Sequence, residues 1–187
     1  MKIKAQQLIS DLEALTQKHL EYAVFLNNKS KQELSLKANP QSWNTLECLE
    51  HLNLYGNFYL PEIETRLRNN KNHPSKELFK SGFLGNYFAE SLWPKEKGSK
   101  MKTFKKTDPI NQNLDKQVIE NFISQQHKML SLLKEARTAS LSKIKTSISI
   151  SKWIKLKLGD TLRVVIYHNE RHLKQAERIL KETQPIL

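Results

Sequence analysis

Four long stretches of this chain repeat their apolar residues every three or four positions, the period that lines one face of a helix. The first spans residues 3–27, with Leu8, Leu12, Leu15, Leu20, Ala23 and Leu26 as its stripe. The second opens at Asn44, where Glu47 three residues on completes a capping-box pattern, and carries Leu46, Leu49, Leu54 and Phe58 inward to residue 69. Pro61 lies inside it and predicts a bend or a local break in hydrogen bonding. The third covers residues 114–136 through Val118, Phe122, Met129, Leu132 and Leu133. The fourth covers residues 161–183, with Asp160 in position to cap it and Pro185 just beyond its end.

Each stripe needs another to cover it. Four such helices with little else predict an all-α four-helix bundle built from one domain, residues 1–187. Long connections join helices 2 and 3 and helices 3 and 4. The first connection, residues 70–113, suggests a short helix at 76–90. In the second, residues 143–158 partly alternate polar and apolar side chains; a single strand makes no sheet, so extended coil is expected there.

Charge and cysteine content narrow the class. A net charge of +12 invites a nucleic-acid reading. Against it, the 31 basic residues are 25 lysines and 6 arginines, and arginine is the side chain suited to bidentate phosphate and base recognition. The densest group (Lys95, Lys97, Lys100, Lys102, Lys105 and Lys106) falls beside Pro94 and Gly98, as in an exposed loop. A solvated lysine-rich surface is therefore preferred, and nucleic-acid binding through that loop is the lesser alternative. The lone Cys48 excludes an internal disulfide, and no run is long enough to span a bilayer. A cytoplasmic protein with no membrane partner is expected.

The histidines carry the chemistry. His168 and His172 are four apart, one above the other on a helix face. At about 100° per residue they share the stripe of Val164, Val165 and Ile179. On the second helix His51 takes the same side as Asn44 and Phe58, with Glu47 and Tyr55 a turn away on either side. Buried imidazoles need hydrogen-bond partners or a ligand role. One divalent cation can satisfy all three; three separate core histidines are the alternative. Three imidazoles accommodate zinc, nickel, iron or copper, so metal identity stays open.

Around them, Glu47 and Tyr55 are candidate catalytic or orienting residues, against roles in capping and packing. Gln175 is placed to line the same pocket. Cys48 reads first as a small core residue and second as a nearby thiol or fourth ligand. Glu170 points away from the histidine face and is expected at the surface. His19, His73 and His127 show no useful spacing and are expected at the surface or in packing.

Two segments resemble the DinB/YfiT group, the DinB-like superfamily of bacterial four-helix metalloproteins. One is Ser42-Trp43-Asn44-Thr45-Leu46-Glu47-Cys48-Leu49-Glu50-His51-Leu52, similar to the tryptophan-led segment that carries the family's first histidine. The other is Leu158-Gly159-Asp160-Thr161-Leu162-Arg163 leading into His168-Asn169-Glu170-Arg171-His172, similar to the family's C-terminal helix. The segment Thr103-Phe104-Lys105-Lys106 is also of familiar type. The resemblance implies an up-down-down-up bundle, frequent homodimers, and His51, His168 and His172 as metal ligands. It also implies a small-molecule substrate, attacked by water in a hydrolase or by a low-molecular-weight thiol in a thiol S-transferase. A non-catalytic protein in which the metal ties helices together is the alternative.

Overall fold

The structure is a computed structural model describing residues 1–69, 74–95 and 103–183. It is mainly helical, with α1 at Ala5–Asn27, α2 at Lys31–Ser35, α3 at Thr45–Asn69, α4 at Phe83–Leu92, α5 at Gln117–Ala136 and α6 at Leu158–Thr183. Short strands accompany them: β1 at Lys2–Lys4, β2 at Leu78–Lys80, β3 at Lys145–Ile148 and β4 at Ser151–Lys157. The four long helices are those expected from periodicity. Helix α1 packs against α5 and α6, and α3 packs against the same two.

Local chemistry explains the boundaries. The Asn44 side chain accepts from the Glu47 amide at 2.8 Å, and Glu47 Oε2 accepts from the Asn44 amide at 2.7 Å, closing the capping box that starts α3. Ser30 and Glu33 form a second box at α2. Pro61 is carried within α3 without ending it.

The apolar stripes meet in two clusters. Leu8, Ile9, Leu12, Ile63, Leu132 and Ile166 belong to one, and Leu26, Leu49, Leu52, Ile119, Phe122 and Leu173 to the other. Truncating a fully buried leucine in such a core typically costs about 2–5 kcal/mol.

Several expectations change. The segment expected to be coil between α5 and α6 is an antiparallel hairpin, β3 with β4, with a register shift between Ser147 and Ile148. The missing partner was the segment's own other half. Strand β1 pairs with β2, setting Ile3 opposite Phe79. Asp160 does not cap α6: the helix begins earlier, and the Asp160 carboxylate instead accepts from the Gly82 amide at 2.8 Å and from the Ser81 hydroxyl. The short helix of the first connection begins at Phe83, because residues 78–80 are drawn into the β1 pairing. Phe58 is exposed instead of inward. Of the lysine cluster, Lys95, Lys105 and Lys106 are exposed, while Lys97, Lys100 and Lys102 lie outside the described residues, as do His73 and Pro185. Among the described residues no helix is long and apolar enough to cross a membrane.

The clasp around Asp160 is extended by a second side chain of α6. Arg163, buried one turn further along, reaches Asn86 at 3.1 Å and Glu90 at 2.6 Å. A side chain at Gly85 would collide with Asp160, at 2.5 Å from its Cβ, so glycine lets α4 lie directly on α6. Helix α4 is thereby fixed beside the segment that carries His168 and His172.

Candidate metal centre

His51 stands in the second turn of α3, and His168 and His172 stand on consecutive turns of α6. All three are brought together. Each offers one ring nitrogen, and these nitrogens all lie within 4.8 Å of one another. The Nε2 atoms of His51 and His168 are 3.1 Å apart. Two ligands at ~2.0–2.1 Å from one tetrahedral ion would be ~3.3 Å apart, so this spacing fits a shared cation.

Hydrogen bonding fixes which nitrogens face inward. His51 Nδ1 is 2.7 Å from the Thr107 carbonyl, which can only accept, so Nδ1 carries the proton and Nε2 presents its lone pair. His172 Nδ1 likewise donates to Gln175 Oε1 at 2.9 Å. Orientation of a ligand imidazole by a carbonyl on its far nitrogen is the usual arrangement at metal sites.

The site also disfavours protons. Burial lowers the His51 pKa, and burial reinforced by His172 and His51 holds His168 well below the ordinary histidine value. Burial, with His51 close by, brings His172 down to about 3. Three neutral imidazoles with converging lone pairs, at least two of them fixed in tautomer, form a donor set that fits a divalent metal.

The surroundings are aromatic. Trp43 packs its ring 4.7 Å from His51 and 5.5 Å from His172, and Tyr55 lies 4.7 Å from His168 and 5.0 Å from His51. Beyond the histidines opens a cavity of about 930 Å³. Its walls include Phe88, Leu92 and Trp93 from the α4 region, Ile148 and Ile150 from the hairpin, and Phe104. Lys95, Arg171, Lys174 and Arg178 also line it; among its described lining residues there is no aspartate or glutamate.

The other expected residues divide. Tyr55 and Gln175 line the cavity. Glu47 is buried and fully engaged: besides closing the cap, its Oε1 accepts from Lys37 Nζ at 2.9 Å and from the Asn111 amide at 2.5 Å. Cys48 is a buried core thiol packed with Trp43, Ala176 and Ile179, and burial pushes its pKa up. Glu170 turns from the cluster to bond His19 Nε2 at 2.9 Å across to α1. It is only 16% exposed, so it is less superficial than expected. His127 is exposed.

Sequence reasoning missed the loop that presents the Thr107 carbonyl. Asp108 Oδ1 accepts from Trp43 Nε1 at 3.0 Å and from the Ile110 amide at 3.1 Å, and Glu47 holds the Asn111 amide. Asn111 takes a left-handed backbone, φ 62°, which asparagine tolerates better than most residues. Its one advance signal was Thr103-Phe104-Lys105-Lys106 just upstream.

No curated protein and no solved structure matches the chain. A family model described as the DinB superfamily matches residues 8–176. That match covers both segments that supply the three imidazoles, and with it the chain belongs to the DinB superfamily.

Proposed function

We propose that the protein is a small metalloenzyme in which His51, His168 and His172 hold a divalent ion, zinc, nickel or iron, at the floor of the aromatic cavity. The observation that carries this reading is the 3.1 Å approach of two Nε2 atoms in a buried site where protonation is disfavoured. When bound, such an ion would lower the pKa of a coordinated water or low-molecular-weight thiol and supply a nucleophile near neutral pH.

The chain's own groups do the positioning. Thr107 and Gln175 hold the tautomers of His51 and His172, and Glu47 steadies the loop carrying Thr107, which makes it a positioning residue. The Tyr55 hydroxyl, 3.5 Å from Thr107 Oγ1, sits where it can orient a bound water or substrate. Trp43 covers one side of the cluster and limits water access. Three neutral ligands leave the ion's charge uncompensated, and although Lys174 is paired with Glu177, Lys95 and Arg178 line the cavity as well, so an anionic small molecule or anionic thiol is the favoured substrate class.

Hydrogen bonds along the helices support the up-down-down-up bundle. Asn53 reaches Val118, Asn57 reaches Gln125 and Glu64 reaches Lys128, an ascending series that fits parallel α3 and α5. Gln6 near the start of α1 bonds Arg137 just past the end of α5, which fits an antiparallel pair.

The test is elemental analysis of protein purified without chelators or a histidine tag, beside His168→Ala, with a hydrolysis and thiol-transfer screen. The reading expects about one equivalent of metal in the parent, none in the variant, and turnover lost while folding persists. Unchanged metal in His168→Ala would remove the site. Lost metal with a large fall in Tm and no activity in the parent would make the ion a structural tie between α3 and α6.

A further inference from the structure

Between Arg137 and Gly159 the chain has no acidic residue but carries Lys143, Lys145, Lys152, Lys155 and Lys157. The β3–β4 hairpin sorts this segment by face. Thr146, Ile148 and Leu156 are buried against the body of the protein, so Lys145, Trp153, Lys155 and Lys157 fall on the opposite side. Trp153 is 94% exposed, and Ile150 at the turn is 51% exposed. Lys145 and Lys157 are paired across the ladder; the Lys157 ammonium turns aside to donate to the Lys80 carbonyl at 2.8 Å, which leaves Lys145 and Lys155 as the exposed cations of this face. Among the described residues, Lys143, Lys145 and Lys155 have no carboxylate partner.

We infer that the outer face of this hairpin docks on a lipid bilayer bearing anionic headgroups. Two features require different things: the lysine row requires a surface dense in negative charge, and Trp153 with Ile150 requires an apolar layer just beneath it. An anionic bilayer provides both, with tryptophan at the headgroup boundary and lysines at the phosphates. A second copy of the chain would bring one lysine row against another. Single-stranded nucleic acid would answer the lysines and could stack on Trp153, but it offers nothing to the aliphatic Ile150. Ile150 also lines the metal cavity, so docking would bring the cavity mouth beside the lipid surface. The inference stands independently of any bound metal.

The experiment is co-sedimentation of the full-length protein with phosphatidylcholine vesicles, with and without phosphatidylglycerol, at low and high salt. Binding is expected only with phosphatidylglycerol, reduced by salt, and accompanied by a blue shift in tryptophan emission. Trp153→Ala and Lys155→Glu, both at exposed positions, should each weaken it by about tenfold or more while leaving the circular dichroism spectrum unchanged. The Trp153 variant should also lose the blue shift. No binding at low salt, equal binding to both vesicles, variants that bind like the parent, or tighter binding to a single-stranded oligonucleotide would each overturn the inference.

Discussion

Helix α6 presents histidine chemistry on two sides, and the two sides are built differently. On one, His168 and His172 meet His51, with no carboxylate among them. On the other, Glu170 from the same helix meets His19 of α1 at 2.9 Å. Both are shielded from water, and His19 is only 1% exposed. The His19 imidazole has a carboxylate beside its Nε2, while its buried Nδ1 has no hydrogen-bond partner among the described residues. In the cluster of three, His51 Nε2 can only accept, and the His168 Nε2 that it faces at 3.1 Å meets it either with its own proton or across a shared cation. One side sets an acid against an imidazole; the other sets neutral imidazoles alone, the donor set that suits a divalent cation.

The largest effect that can break this comparison is on metal affinity. His172→Ala should weaken binding by at least about a hundredfold in a competition titration, whereas His19→Leu should leave stoichiometry and affinity unchanged. Equal losses in the two variants would mean that the sides do not differ as described.

A middle-sized effect tests the support behind His51. Asp108→Ala removes the acceptor for Trp43 Nε1 and the Ile110 amide, loosening the loop that offers the Thr107 carbonyl. Metal affinity should fall by about tenfold with the helical signal retained. The same substitution with unaltered affinity would show that the carbonyl needs no such bracing.

The smallest effect concerns pH. Burial lowers the pKa values of His19, His51, His168 and His172 in the folded state. Below the ordinary histidine value near 6.5, the unfolded chain therefore takes up protons that the folded chain refuses. Stability present above that pH should be lost as pH falls toward the folded values. Metal-free protein should show a declining Tm between about pH 7 and pH 5, and His19→Leu should flatten a minor part of the decline. A Tm that rises with acidification would contradict the neutral cluster.

The four long helices and the cap of α3 were legible because their signals are local: a three-to-four-residue stripe, and an asparagine three positions before a glutamate. The i,i+4 pair His168 and His172 was legible for the same reason, and the wheel placed His51 on a compatible face. What escaped depended on distant or backbone groups. His19 and Glu170 are 151 positions apart, so no spacing announces them. The atom that orients His51 is a main-chain carbonyl, which any residue carries. Asp160 has the chemistry of a cap, but tertiary packing gave it the Gly82 amide instead. The hairpin went unseen because the segment reads as one strand, and no turn signal at Ser149 and Ile150 marks where its two halves fold back to pair.

The clasp of Asp160 and Arg163 on α4 has one more consequence. A single helix grips the cavity wall with one pair of side chains and supplies two imidazoles with another pair, a turn or more away. Divergence in α4 or its neighbours can therefore reshape what the cavity admits while the imidazoles keep their places. The shape of the cavity and the placing of the imidazoles are thus set by different side chains of one helix, so either can be altered without the other.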